Sequence, residues 1–223
     1  MTNLATPRVT VDPVVLTYLD GQLSILLVKR MTEPEKGAWA IPGGHVLQNE
    51  VMMTAIERSL QQKASVSIRS LDYIDQLFAF DTVGLDPRGH AITIAFLCLS
   101  NHATIRRSNL DSQPQFFDIN NLPDLAFDHI SIVRKAKERL AELSVKTTIA
   151  SKLMPDVFGL SQLHQYYQII LGKKLDRRNF RKKFLALGVL VDTGIREEKV
   201  PNRPGHLYKF KTKHVSDFAS PLE

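Results

Sequence analysis

Cysteine is nearly absent. Cys98 is the sole one in 223 residues, so no internal disulfide can form, and nothing points to an oxidising compartment. Its place in the apolar run ITIAFLCL (92–99) fits a small buried hydrophobe better than a nucleophile. Long apolar runs are missing as well. That run is the longest in the chain, far short of the roughly 20 residues that cross a bilayer. The opening MTNLATPRVT has no apolar core of the kind a signal peptide needs. A cytoplasmic protein with no membrane partner and no cofactor is expected. There is no internal repeat and no low-complexity segment.

Acidic residues are scarce in one region only. Residues 151–223 hold 14 Lys/Arg against 7 Asp/Glu, whereas residues 1–150 hold 15 against 16. The net charge of +6 therefore sits almost wholly in the last third. Such asymmetry points to a polyanionic partner for that segment.

What is present divides the same way. VTVDPVVLTYL, the turn pair Asp20-Gly21 and LSILLVKR form a β-hairpin pattern. WAIPGGHV is a short strand ending in a double glycine, and Glu50 to Ala64, free of Gly and Pro, predicts a helix. Strands follow at SLDYIDQLFAFD, ITIAFLCLS and PQFFDINN, with a turn at Asp86-Pro87-Arg88-Gly89. HISIVRKAKERLAEL predicts a helix, with Ile130, Val133, Ala136, Leu140 and Leu143 as its apolar stripe. SVKTTIASKLMPD is a connector and the expected hinge. The expected domains are 1–150 and 151–223.

The second unit holds helix SQLHQYYQIIL, a turn at Gly172, a helix from Asp176 to Leu187, Gly188, strand VLV, a loop and strand HLYKFK. Asp176 suits an N-cap because its carboxylate can accept a first-turn N–H. KKLDRRNFRKK contains seven basic residues and one acid. At about 100° per residue, Phe180, Phe184 and Leu187 share one arc, with Arg177, Arg178, Arg181 and Lys182 on the next. Basic residues crowd the helix N-terminus, against the dipole preference, which suits a helix that meets phosphates. Two helices joined by a short turn make a helix-turn-helix, whose second helix would enter the major groove. The segment between the last strands would be the wing. The expected DNA contacts are Lys173, Lys174, Arg177, Arg178, Asn179, Arg181 and Lys182, with Arg203, His206 and Lys209 from the wing. Guanidinium forks match guanine and Asn179 could read adenine.

The stretch Trp39–Val66 resembles the Nudix hydrolase box. Gly44, Glu50, Arg58, Leu60 and Val66 fall in its register. The family's three further carboxylates, which hold divalent cations, are replaced by Ser59, Gln62 and Lys63, and its closing glycine by Ser65. Lys63 puts a cation where a metal would sit. Glu50 and Arg58 are expected to tie loop to helix. No catalytic residue, no metal ligand and no Mg²⁺-dependent pyrophosphatase activity are expected. Arg30, Trp39, Gly43, Gly44 and Arg88 are the candidates to line a ligand pocket, since arginine suits diphosphates and tryptophan offers a stacking face.

Over nearly its whole length the chain resembles the Nudix-related transcriptional regulators of NAD metabolism. The resemblance rests on LLVKR, WAIPGGHV, DPRGHAITIAFL, LAFDH, FGLSQLHQYYQIILGKKLDRRNFRKKFLALG and the basic wing. It implies an α/β (α+β) Nudix fold, a mixed sheet sandwiched by helices, followed by a C-terminal winged helix-turn-helix. It also implies a homodimer on a near-palindromic operator of NAD biosynthesis or salvage genes, acting as a repressor with ADP-ribose as effector. Three alternatives remain open on the residues: the same architecture sensing a sugar or sugar phosphate, an active Nudix hydrolase, and an RNA-binding accessory domain.

Overall fold

A computed structural model of the chain describes residues 6–81, 86–101, 110–197, 205–219 and 222. Two compact units emerge from the packing. Unit 1 holds 1–17 and 24–136; unit 2 holds 18–23 and 137–223.

Unit 1 is built on a mixed sheet of seven strands. Strand β1 (Arg8–Leu19) and β2 (Gln22–Lys29) form the predicted hairpin, with Asp20 and Gly21 both at positive φ in its turn. WAIPGGHV is two short strands, β3 (Trp39–Ala40) and β4 (Gly44–His45), rather than one. They join different partners: β3 pairs with β2 and β4 with β1, both antiparallel. Between them Ile41, Pro42 and Gly43 carry the chain over the sheet. β5 (Tyr73–Asp81), β6 (Ala91–Leu99) and β7 (Gln115–Asp118) complete the sheet. Its central path is β3-β2-β1-β6-β5, with β7 added alongside β2. β1 and β6 run parallel, in register from Arg8–Ala91 to Leu16–Leu99. β1 is central, and Val11 to Tyr18 are buried without alternation. That is the signature of a strand covered on both faces.

One face is covered by α1 (Met52–Ala64). Its Ala55, Ile56 and Leu60 pack on Val11, Val15, Leu26, Val28, Phe96 and Cys98. Cys98 is fully buried, which pushes its thiol pKa well up. The helix ends at Ser65, which adopts the left-handed conformation (φ 51°) while its N–H bonds back to the last turn. α2 (His129–Lys146) runs past the expected end at Leu143. Its buried stripe also differs: Ile132, Val133, Ala136 and Leu140 point in, whereas Ile130 is 44% exposed. A stripe at 3- and 4-residue steps from His129 bypasses position 130, and Ser144 rather than Leu143 continues it into the core.

In unit 2, β8 (Phe158–Gly159), α3 (Leu160–Leu171), α4 (Arg177–Ala186), β9 (Leu190–Arg196) and β10 (His206–Phe210) follow in order. The strands form an antiparallel sheet ordered β8-β10-β9. Its core is aromatic. Tyr167 packs on Phe180 and Phe184, and Phe184 also meets Phe210 and Phe218. The Tyr167 hydroxyl donates to the Ser144 carbonyl at 2.8 Å, which satisfies a buried polar atom. The segment expected to be a hinge is not an exposed linker. Ser144–Lys146 finish α2, Thr148–Lys152 form a 3-10 turn, and Ile149, Ala150, Leu153 and Met154 are fully buried. Thr148 Oγ1 accepts from the Ser216 N–H at 2.9 Å. Its apolar residues, evenly spread and unremarkable in sequence, are core. No described helix is long and apolar enough to cross a membrane.

Candidate ligand pocket and nucleic-acid interface

Unit 1 contains a cleft of about 480 Å³, within the usual range for small-molecule sites. It lies over the face of β1 and β6 opposite α1. Thr10 and Asp12 of β1, with Ala91 and Thr93 of β6, form its floor, and Thr10 and Thr93 hydroxyls pair at 2.7 Å. The first turn of α2 supplies His129 and Ile132. The β3–β4 crossing supplies Ile41, Gly43 and Gly44, and the end of α1 supplies Gln62 and Lys63.

Of the five expected lining residues, Arg30, Gly43, Gly44 and Arg88 meet here. Trp39 does not line the cleft. It packs edge-on against Phe117 with ring centroids 4.7 Å apart, and Lys29 lies over its ring. Successive side chains of a strand point to opposite faces, and it is the neighbouring Ala40 that faces the cleft. The aromatic residues that line the cleft are instead Phe80 and Phe127, with the Arg30 guanidinium 4.6 Å from the Phe127 ring centroid.

The two arginines are held differently. Arg88 makes a two-pronged contact with Asp86, Nε to Oδ1 at 2.9 Å and Nη2 to Oδ2 at 2.8 Å. That contact holds the Asp86 carboxyl far below the ordinary carboxylate range. Among the described residues Arg30 donates to carbonyls alone, Pro34 at 2.9 Å and Thr32 at 3.4 Å. Burial and the Arg88 charge lower its pKa from the usual arginine value, which still leaves a guanidinium charged at neutral pH.

The sequence reading missed Asp12 and His129. His129 Nδ1 accepts the Ile41 N–H at 3.0 Å, so its ring hydrogen sits on Nε2, 3.8 Å from Asp12 Oδ2. Burial lowers the His129 pKa and raises that of Asp12, against the attraction of His129, Lys63 and Arg30. The signal for Asp12 was in the sequence: a lone acid inside VTVDPVVL. A charge in a doubly covered strand is costly unless the site uses it.

Glu50 and Arg58 form the expected tie. Arg58 Nε and Nη2 donate to the two Glu50 oxygens at 2.8 and 2.7 Å, and Arg58 also donates to the His45 carbonyl at 2.8 Å. The Arg58 contact and the Leu47 N–H lower the Glu50 pKa to about 2. Ser59, Gln62 and Lys63 do not fit a divalent cation. Ser59 is buried, its hydroxyl without a partner among the described residues. Lys63 donates from Nζ to the Gly43 carbonyl. No cluster of three His, Cys, Asp or Glu side chains able to hold a metal occurs among the described residues.

In unit 2, Asp176 caps α4 as expected, accepting the Asn179 N–H at 2.8 Å. The preceding turn is clamped from α3: Leu175 donates its N–H to Gln168, and its carbonyl meets His164 Nε2 at 2.9 Å. Gly172 ends α3 at φ 62°. Phe180 and Phe184 are buried, while Arg177, Arg178, Asn179, Arg181 and Lys182 stand exposed, as do Lys173 and Lys174 in the turn. None of these cations pairs with a carboxylate among the described residues. On the sheet, Lys209 is exposed, whereas His206 Nδ1 lies 2.6 Å from Asp192 Oδ2. Arg203 falls outside the described residues.

Comparison with known proteins agrees with this division. Residues 7–136 match the NUDIX domain, and residues 150–210 match the NrtR DNA-binding winged helix domain. The chain is 32% identical over 210 residues to the ADPR responsive transcriptional repressor NtrR of Acinetobacter baylyi, covering 92% of this chain and 82% of that protein. It superposes on Shewanella oneidensis NrtR complexed with a 27mer DNA at a TM-score of 0.79 and 28% identity, covering 96% of this chain and 99% of that one. The NUDIX domain of that same protein complexed with ADP ribose matches at a TM-score of 0.53 and 30% identity, covering 61% of this chain and 90% of the domain. The ADP-ribose pyrophosphatase of Methanocaldococcus jannaschii is 34% identical over 130 residues, covering 57% of this chain and 72% of that enzyme.

Proposed function

The chain belongs to the NUDIX family and carries the NrtR type of winged helix domain, and from that membership we propose that it is a cytoplasmic, dimeric transcriptional repressor of NAD biosynthesis or salvage genes, released from its operator by ADP-ribose. Residues 1–150 bind the effector, with Arg30, Gly43, Gly44 and Arg88 at the cleft. Residues 151–223 bind DNA through Lys173, Lys174, Arg177, Arg178, Asn179, Arg181 and Lys182 on and before α4, with Arg203, His206 and Lys209 from the wing.

One observation carries the reading. α4 buries Phe180 and Phe184 and turns Arg177, Arg178, Arg181 and Lys182 to solvent. A helix seated on one side and basic on the other is suited to the major groove. Two such helices in a dimer must stand about 34 Å apart to enter successive grooves. Release by a ligand requires that the ligand prefer a state in which that spacing fails.

The enzyme reading has one supporting fact, the likeness of the first half to a pyrophosphatase. Against it stand Ser59, Gln62 and Lys63 where the chemistry needs carboxylates, and we read the chain as having no hydrolase activity. A ligand panel separates the readings. A ligand at 100 times its Kd stabilises the fold by about 2.7 kcal/mol, so ADP-ribose should raise Tm by several degrees and remain intact with Mg²⁺. A Tm rise with pentoses or sugar phosphates, and none with ADP-ribose, would replace the effector. Turnover of ADP-ribose would restore the enzyme.

A further inference from the structure

The chemistry of the Nudix fold rests on divalent cations held by α1, and the residues here do not fit them. The cleft nevertheless keeps a positive charge at the same end of that helix. Lys63 lies in the last turn of α1, and its ammonium donates to the Gly43 carbonyl. That carbonyl is fixed in place because Gly43 packs directly on Asp12 and Val11, with no room for a Cβ. The backbone of Lys63 is pinned as well, its carbonyl accepting the Ser112 hydroxyl at 2.6 Å. Burial lowers the Lys63 pKa from the usual lysine value, against the attraction of Asp12, which is 6% exposed on the cleft floor.

The cleft's cations are not equivalent. Asp86 occupies both prongs of Arg88. Lys63 and Arg30 are held by carbonyls instead. A carbonyl orients a cation without cancelling its charge. An ammonium has three hydrogens to donate, and Gly43 takes one. Among the described residues the other two have no acceptor and remain for anionic oxygen. We propose that Lys63 is a resident substitute for the metal: together with Arg30 it takes the ligand's diphosphate directly, so that ligand binding needs no divalent cation. The identity of the ligand rests on the reading above; the role of Lys63 does not.

The test is titration calorimetry on the full chain with two probes, ADP-ribose and inorganic pyrophosphate, each in EDTA and in Mg²⁺. For ADP-ribose the wild type should give the same Kd in both buffers, within about twofold. Lys63→Met should weaken both probes in EDTA by about tenfold or more, a change of about 1.4 kcal/mol per tenfold. Lys63→Arg should recover most of that loss. Because Lys63 is exposed as a residue, Lys63→Met should stay folded at 25 °C, with a Tm lowered only by the lost Gly43 contact, and should keep the wild-type duplex-DNA affinity. Loss of wild-type ADP-ribose binding in EDTA, or wild-type affinity in Lys63→Met, would overturn the proposal. If ADP-ribose binds in neither buffer, the effector assignment falls and pyrophosphate decides for Lys63. EDTA-resistant pyrophosphate binding that Lys63→Met removes upholds the proposal, and any other pattern refutes it.

Discussion

The two units handle positive charge in opposite ways. In unit 1 the cations of the cleft are tethered: Arg88 to Asp86, Arg30 to two carbonyls and the Phe127 ring, Lys63 to the Gly43 carbonyl. In unit 2 the cations of α4 stand in solvent, and what is fixed is the helix beneath them, by Phe180, Phe184 and the Asp176 cap. The difference follows from the ligand each suits. A small anion is bound tightly when donors are already oriented, since little freedom is lost on binding. A duplex presents a line of phosphates, and long mobile side chains on a rigid rod can follow it, at the cost of strong salt dependence.

The largest effect should come from removing the rod's seat. Phe184→Ala deletes a fully buried ring that meets Tyr167, Phe210 and Phe218, and should cost about 3–5 kcal/mol, read by chemical denaturation. DNA binding should fall with it. If DNA affinity survived that loss, the seat of α4 would not matter and the contrast would collapse. Next, Arg178→Ala and Arg181→Ala should each cost about 1–3 kcal/mol of operator affinity if they read bases, and otherwise lower the salt slope by about one. Neither should change Tm appreciably, because both side chains are exposed. In the cleft, Gly43→Ala should act the other way round. A methyl there overlaps Asp12 and the Val11 carbonyl, so the strand crossing must shift, at about 1–3 kcal/mol. Ligand affinity should drop, and the α4 face should be untouched. The smallest effect is a gain. Ser65 sits at φ 51°, where the Nudix box has glycine. Ser65→Gly should stabilise by somewhat under 1 kcal/mol, since the left-handed conformation costs a side-chain-bearing residue about 1–2 kcal/mol and glycine's extra chain entropy returns part of that. A loss of stability would mean that the Ser65 side chain contributes something its geometry does not show.

These elements also mark how far the sequence could be read. The helix-turn-helix was legible because its signals are local: Gly172, the Asp176 cap, the Phe180–Phe184 spacing and the basic arc each state their role within a few residues. The hairpin was legible for the same reason. The cleft was legible only in part. Arg30, Gly43, Gly44 and Arg88 belong to motifs and line the cleft together, whereas Asp12 and His129 meet across 117 positions of chain through sheet and helix packing that no local pattern encodes. Trp39 was misplaced because strand parity, not residue type, decides which face a side chain takes. The expected hinge was misplaced because an irregular stretch between two helices looks like a linker unless its burial is known, and Ile149, Leu153 and Met154 are core.

On the proposed function, the exposed cations hold DNA and the tethered ones hold the ligand that removes it. The direct measurement is fluorescence anisotropy of the full chain on a duplex from upstream of an NAD biosynthesis gene, at fixed salt, with ADP-ribose added to the complex. The wild type should bind selectively and be released by ADP-ribose, with Arg178→Ala weakening the first step and Gly43→Ala blunting only the second. Absence of selective binding, or a Gly43→Ala protein that is released as readily as the wild type, would contradict the proposed function.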